Sequence, residues 1–401
     1  MKENDFIGLA YDIAIRAEDL ERLLAEIVMV ESHASQRDGV VEVARILCDR
    51  LERIGFGIEV EPQRPVEPGL EWVATVMSPG VPYRDLGDTY IGRRDGDGPG
   101  LLLLLGDLDT AFLPGITETF GYRVDGARAY GPGIADMKGG LVVLVAALEA
   151  LHRRGLPCPP IVVVLSGDEQ AGSLTSRTAV SREASRATWC FCVECARDGS
   201  RLMAARGQVG IGRLTVVGRE AYAGDPTDRG LNAVDGLARI VPLVNNLIRP
   251  ESGVYVAVTL IQGGRRRSII PAAAQAIVDI RTPSGTAWNQ TVDLIERTVA
   301  GAGIEGSSFE AYSHRPAVEW TNQTDSLLEK IREVGAVVRV PIEALRSPAA
   351  GSSAFAAEMG AITMDGMGPV GGGIMTFNEH IELPTLVERS AVLAGSIYNL
   401  V

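Results

Sequence analysis

The 401-residue sequence predicts an α/β protein, with a mostly parallel central sheet flanked by helices and an inserted α+β lid domain. Three observations predict it. Short β-branched or leucine-rich runs alternate with helical stretches through the first half. The texture changes near Arg206, and residues 206–315 read as a small α+β unit of strands and two helices. The alternation resumes after Pro316. A chain of this length exceeds one ordinary hydrophobic core, so the expectation is a discontinuous larger domain, 1–205 with 316–401, and an insert at 206–315.

In chain order, residues 6–35 read as helical because Leu20, Leu23, Leu24 and Ile27 recur at helical spacing. Residues 40–54 form a second amphipathic helix that stops at Gly55, and 57–61 and 72–77 read as strands. Leu101 to Leu105 is an unbroken leucine run before Gly106, the signature of a strand buried on both faces. Residues 139–151 make an apolar helix, and 161–165 and 189–193 two more buried strands. Within the insert, 209–217, 253–262 and 275–280 read as strands and 233–248 and 288–302 as helices. Residues 389–400 close the chain as a helix.

Composition narrows the function classes. Hydrophobic content of 46% and charged content of 22% suit a soluble globular protein. A formal net charge of -13 argues against a nucleic-acid partner, which selects a basic face. No apolar run approaches the ~18 residues of a membrane span, so no membrane association is expected. Met1 to Ala10 lacks a basic, apolar, cleavable pattern, and the expected location is the cytoplasm. The five cysteines are an odd number and are expected to be free thiols. Cys190, Cys192 and Cys195 crowd around Glu194; they read as small hydrophobes, with Cys195 the one to weigh as a nucleophile or soft ligand.

Three segments carry the chemistry. Gly106-Asp107-Leu108-Asp109-Thr110 follows the leucine strand, Gly131-Pro132-Gly133-Ile134-Ala135-Asp136-Met137-Lys138-Gly139-Gly140 opens the apolar helix, and Asp168-Glu169-Gln170-Ala171-Gly172 follows the strand at 161–165. All three are expected just past strand C-terminal ends, where open α/β sheets place their sites.

In this order and spacing the segments resemble the metal-site segments of the zinc aminoacylase and carboxypeptidase family, above all its glutamate carboxypeptidase branch. The likeness runs on through Arg206-Gly207, Gly218 to Gly224, Gly230 to Ala233, Gly263 to Pro271, Asp279 to Arg281, Gly351 to Ala354 and Gly366 to Glu379. It implies a two-zinc hydrolase fold whose lid commonly mediates a homodimer. It also implies five ligand positions, held here by Asp107, Asp136, Gln170, Glu194 and Met375. Both histidine ligands and one carboxylate of the pattern are replaced. Zinc favours imidazole nitrogen and carboxylate oxygen, so zinc is not expected and no cofactor is the first expectation. The oxygen atoms of Asp107, Asp136, Gln170 and Glu194 leave Mg²⁺ or Mn²⁺ as the alternative.

The resemblance also places Glu169 at the general-base position, with Asp109 and Lys138 retained beside it. Arg281 stands at the position that binds a substrate carboxylate, and Gly351, Ser352, Tyr222 and Ser268 stand at further substrate positions. Tyr222 and Ser268 replace the family's lid histidine and asparagine. Without metal the carboxylates repel one another, and Lys138 is the nearest lysine in sequence to offset them. His380, five residues past Met375, is weighed as a substitute ligand against an ordinary histidine. The expected function is acid–base chemistry, without metal, on a small carboxylate-bearing amide or amine: acyl transfer, cyclisation or a related biosynthetic step. The alternatives are a Mg²⁺- or Mn²⁺-dependent amidohydrolase or carboxypeptidase, and a non-catalytic binding protein on a pseudo-peptidase scaffold.

Overall fold

Six strands build the central sheet in the order Gly57–Glu61, Thr89–Arg94, Ile161–Ser166, Leu102–Asp107, Trp189–Cys192 and Ile362–Met364. The first two pairings are antiparallel and the remaining three parallel. This computed structural model describes residues 2–77, 80–81, 85–197 and 199–401. The Leu102–Asp107 and Ile161–Ser166 strands are buried along their whole length, as their unbroken apolar runs require. The Gly139–Arg154 helix is buried over nearly all its length and ends at Gly155, whose left-handed backbone (φ 60°) caps it.

Two of the expected elements differ. The helix expected over 6–35 is two helices, Lys2–Ala14 and Ala17–Met29, because the backbone leaves helical geometry at Arg16. Residues 72–77, expected as a strand, lie in a short helix, Glu71–Met77. Its neighbouring residues Val73 and Ala74 are both buried, a helical pattern rather than an alternating one.

Chain contacts divide the molecule into two units, residues 1–205 with 319–347 and 352–401, and residues 206–318 with 348–351. The second unit is a four-stranded antiparallel sheet in the order Tyr255–Gly263, Ala273–Thr282, Gln208–Val217 and Ser307–Arg315. The helices Ala233–Asn245 and Gly285–Gly301 cover one face, burying Leu237, Ile240 and Ile295 with Leu214, Val278 and Ile280. The side chains of Asn232 and Ser284 cap these helices. Residues 348–351 join this unit through Arg206, whose guanidinium donates to the carbonyls of Ala349 and Ala350 (3.2 and 2.9 Å).

A second small sheet in the first unit matters for the site. Arg123–Asp125, Arg128–Tyr130, His380–Glu382 and Gly371–Gly372 pair antiparallel. They bring the turn at 373–379 beside the segment at 131–138.

Candidate active site

In the first unit, Asp107 ends one parallel strand, Glu169 and Gln170 follow a second, and Glu194 follows a third. The parallel topology therefore gathers these residues at one sheet edge. The Gly139–Arg154 helix brings Asp136 to the same edge. Gly140 makes that approach possible, because a side chain there would collide with the carbonyl of Val193.

Asp107, Asp109, Asp136 and Glu194 each lie against a donor from the protein itself. The Ser352 hydroxyl donates to Asp107 Oδ2 (3.2 Å), and both residues are buried. Asp109, also buried, accepts the backbone N–H groups of Glu169 (3.0 Å) and Gln170 (2.8 Å) and so fixes the turn that presents them. Burial, reinforced by the charges of Glu169 and Asp168, holds the Asp109 carboxyl well above the ordinary carboxylate range. The Gln170 amide donates to Asp136 Oδ2 (3.3 Å). Glu194 lies 3.8 Å from the Arg197 guanidinium. Burial first, then the charges of Glu169 and Glu379, push Asp136 up to about 7.

Sequence reasoning missed Glu379. This carboxylate is fully buried. One oxygen accepts the N–H groups of Ala135 (2.9 Å) and Asp136 (3.1 Å), and the other that of Met375 (3.0 Å). It ties two segments together across more than 240 positions of sequence. Burial pushes its carboxyl up to about 7 against those bonds and a further one from the Gly133 backbone. Its place at the end of the Gly366 to Glu379 match was the one available signal.

Lys138 is buried, and its ammonium donates to the Val30 carbonyl (2.7 Å). Burial lowers it to about 7, while the charges of Glu379 and Glu31 act in the opposite direction. Met375 takes a left-handed backbone (φ 60°) and is 55% exposed. His380 sits in the small sheet, with Nδ1 2.8 Å from the Asn378 carbonyl and its ring beside Tyr130 (centroids 5.5 Å apart). Cys190, Cys192 and Cys195 are wholly buried, and burial pushes the Cys195 thiol up to about 12. A thiol that keeps its proton is a poor nucleophile, which argues against that reading of Cys195. Among the described residues, no three His, Cys, Asp or Glu side chains form a group arranged to hold a metal ion.

The remaining substrate positions lie in the second unit, apart from Ser352. Arg281 projects from the Ala273–Thr282 strand, half-exposed, with its Nε 2.9 Å from Asp279 Oδ1. Tyr222 is largely exposed on a two-residue strand paired with Ile269–Ile270. The Ser268 carbonyl accepts the Ala223 N–H (2.9 Å). Gly351 ends the segment gripped by Arg206.

The model of peptidase family M20/M25/M40 matches residues 103–399, a span that includes both sets of site residues. The chain belongs to this family. Carboxypeptidase G2 of Pseudomonas sp. (strain RS-16) is 25% identical to this M20-family chain over 389 residues, covering 94% of it and 88% of that relative. The crystal structure of aminopeptidase PepT from Bacillus cereus superimposes with a TM-score of 0.74 at 18% identity, over 96% of this chain and 98% of that one. The M20 family metallo-carboxypeptidase Sso-CP2 from Sulfolobus solfataricus gives 0.71 at 14% identity, over 95% and 99%. The family is thus one of peptidases and amidohydrolases, and it includes metal-dependent members.

Proposed function

We propose that this M20-family chain acts on a small substrate carrying a carboxylate and an amide or amine, by acid–base chemistry at Glu169 without a bound metal. The observation that carries the reading is the set of protein donors on the acids: Ser352 on Asp107, Gln170 on Asp136 and Arg197 near Glu194. A coordinating carboxylate offers its oxygens to a cation. Here a hydroxyl and an amide N–H turn toward two of those acids.

The side chains at the family's five ligand positions decide whether zinc fits. Asp107, Asp136, Gln170, Glu194 and Met375 include no imidazole. The Gln170 amide presents its protons, not its oxygen, to Asp136. The Met375 thioether is a soft donor that suits copper(I) better than zinc. These residues do not fit two zinc ions, each of which takes about four nitrogen, sulfur or carboxylate ligands.

Glu169 is half-buried on a turn held by Asp109. As the amine nitrogen of the substrate attacks an acyl carbon, Glu169 takes the nitrogen's proton and returns it to the leaving group. That sequence describes acyl transfer or cyclisation. Positioned general acid–base catalysis of this kind is worth about 10²–10⁴ in rate. Arg281 would exchange Asp279 for the substrate carboxylate, with Tyr222, Ser268, Gly351 and Ser352 as further contacts. Two copies would associate through the second unit.

A second reading keeps a hard cation, since Asp107, Asp136 and Glu194 supply oxygens that Mg²⁺ or Mn²⁺ accepts. One experiment separates the two. Turnover of a panel of N-acyl amino acids and dipeptides is followed by mass spectrometry in excess chelator, with metal content measured on the same sample. Turnover that persists in chelator and falls about 100-fold or more in Glu169→Gln supports metal-free chemistry. Turnover lost in chelator and restored by Mn²⁺ or Mg²⁺ supports the second reading. About two zinc ions per chain, or full activity of Glu169→Gln, overturns the first.

A further inference from the structure

The last helix, Pro384–Tyr398, carries a charge into the core of the first unit. Arg389 is wholly buried there. Its Nε donates to the Gly368 carbonyl (3.0 Å), and one terminal nitrogen donates to the Gly366 carbonyl (2.6 Å). The other terminal nitrogen, also buried, meets no acceptor, and among the described residues no carboxylate pairs with this guanidinium. Burial lowers it to about 10, so it keeps its charge at neutral pH.

Stability alone does not account for such a cation. A charge taken out of water without a counter-ion is costly, and even paired buried ions often give way to apolar side chains without loss. What a guanidinium supplies is a rigid fork of donors that reaches two carbonyls at once, which an ammonium or an apolar side chain does not.

The gripped carbonyls belong to a segment that builds the edge of the site. The N–H groups of Met367 and Gly368 donate to the carbonyls of Cys192 (3.1 Å) and Glu194 (2.9 Å), and the Pro369 carbonyl accepts the Ala196 N–H (2.9 Å). Residues 366–369 thus carry the parallel pairing of Ile362–Met364 with Trp189–Cys192 past the strand ends, as far as Glu194. The fit has no slack. A side chain on Gly368 would collide with the Val193 carbonyl and crowd the Cα of Gly140, the glycine that lets the Asp136 segment approach this edge. Arg389 therefore holds the stretch of backbone against which both Glu194 and the start of the Gly139–Arg154 helix are set.

We infer that Arg389 is a positioning residue for the acidic site: by clamping the Gly366 and Gly368 carbonyls it fixes Glu194 and the edge that Glu194 shares with Asp136. It touches no reacting atom and acts through the backbone alone. This rests on reading the acidic cluster as the active site, and it adds a residue from the far end of the chain that no motif marks.

The test uses the full chain and amide hydrogen exchange read by mass spectrometry. Arg389→Lys keeps the charge but reaches one carbonyl, and Arg389→Met leaves both carbonyls unpaired; should one of the two fail to fold, the other decides. Ser396→Ala, two turns along the same helix, removes a buried hydroxyl that has no hydrogen-bond partner and controls for packing. In the Arg389 variants the amides of residues 193–196 and 366–370 should exchange at least about tenfold faster, with the strands at 102–107 and 161–166 unchanged and Ser396→Ala like the wild type. On the same substrate panel kcat should fall at least about tenfold while KM stays within about twofold, since binding survives and the acids are misplaced. Unchanged exchange at 193–196, uniform acceleration along the whole chain, or an unchanged kcat beside loosened amides overturns the inference. Glu169→Gln keeps the two claims apart. If that variant stays fully active, the proposed acid–base chemistry fails, while exchange and kcat in Arg389→Lys still decide the clamp.

Discussion

Replacing Gln170 by glutamate restores the carboxylate that the family's pattern carries, and here it should destabilise the protein. The Gln170 amide donates to Asp136 Oδ2 at 3.3 Å. A glutamate removes that donor and sets a second negative charge in its place. At an effective dielectric of about 20, two unit charges at that spacing repel by about 5 kcal/mol. Both side chains are half-buried, and solvent access reduces the repulsion to roughly 2–3 kcal/mol. Loss of the hydrogen bond adds about 1 kcal/mol. The pair can escape by keeping a proton, and because the Asp136 carboxyl already stands at about 7 this costs about 1.4 kcal/mol at pH 8 and nothing at pH 5.

Gln170→Glu should therefore be about 2 kcal/mol less stable than the wild type at pH 8 in chelator, with the electrostatic part of the difference gone by pH 5. The sign follows from the direction of the shift. The new carboxyl is raised in the folded state, so its cost is absent below the unfolded value and grows as pH climbs toward the folded one. Urea unfolding followed by far-UV circular dichroism at the two pH values measures it. A divalent cation should recover more stability in the variant than in the wild type. Equal stability of variant and wild type at pH 8, within about 0.5 kcal/mol, would refute the reasoning, because it would mean that Asp136 and position 170 do not share one electrostatic environment.

Two further outcomes follow from the same frame. The bonds from Gly115 and Thr117 hold the Glu31 carboxyl down to about 2, so its contribution is complete above the ordinary carboxylate range and is lost as pH falls toward 2. The difference in unfolding temperature between wild type and Glu31→Gln should be constant from pH 8 to about pH 5 and disappear by about pH 2. Gly140→Ala should cost about 3 kcal/mol or more in thermal unfolding, because its new methyl meets the Val193 carbonyl, a backbone atom that cannot turn aside.

The parallel core was legible because its strands are unbroken apolar runs and need no knowledge of their neighbours. Leu102–Asp107 and Ile161–Ser166 lie within a residue or two of where the sequence places them. The break at Arg16 was not legible. No proline or glycine marks it, and apolar periodicity continues on both sides. The helix at Glu71–Met77 was misread because a short segment rich in Val, Trp and Thr carries strand propensity, which local burial overrides. At the site, the local motifs placed Asp107, Asp109, Asp136, Glu169, Gln170 and Glu194 at one sheet edge. They could not show what each acid binds. Ser352 reaches Asp107 across 245 positions, and Glu379 reaches Ala135 across 244. Such pairings belong to the fold and leave no spacing to read. Likewise Lys138, expected among the carboxylates, spends its hydrogen bond on Val30, a residue whose part no motif announces.

The three amide bonds to Glu379 bear on how a lineage of such proteins can change. In a centre organised by coordination, the ions hold the surrounding loops in place, and exchanging one liganding side chain risks the geometry of all. Here the loops at 135–136 and 375 are braced by a carboxylate that stands outside the five liganding positions. Side chains at Asp107, Gln170 and Met375 could then drift singly, each variant still folded and open to selection for new chemistry. With Glu379 as their brace, the two loops keep their arrangement whichever side chains stand at those positions.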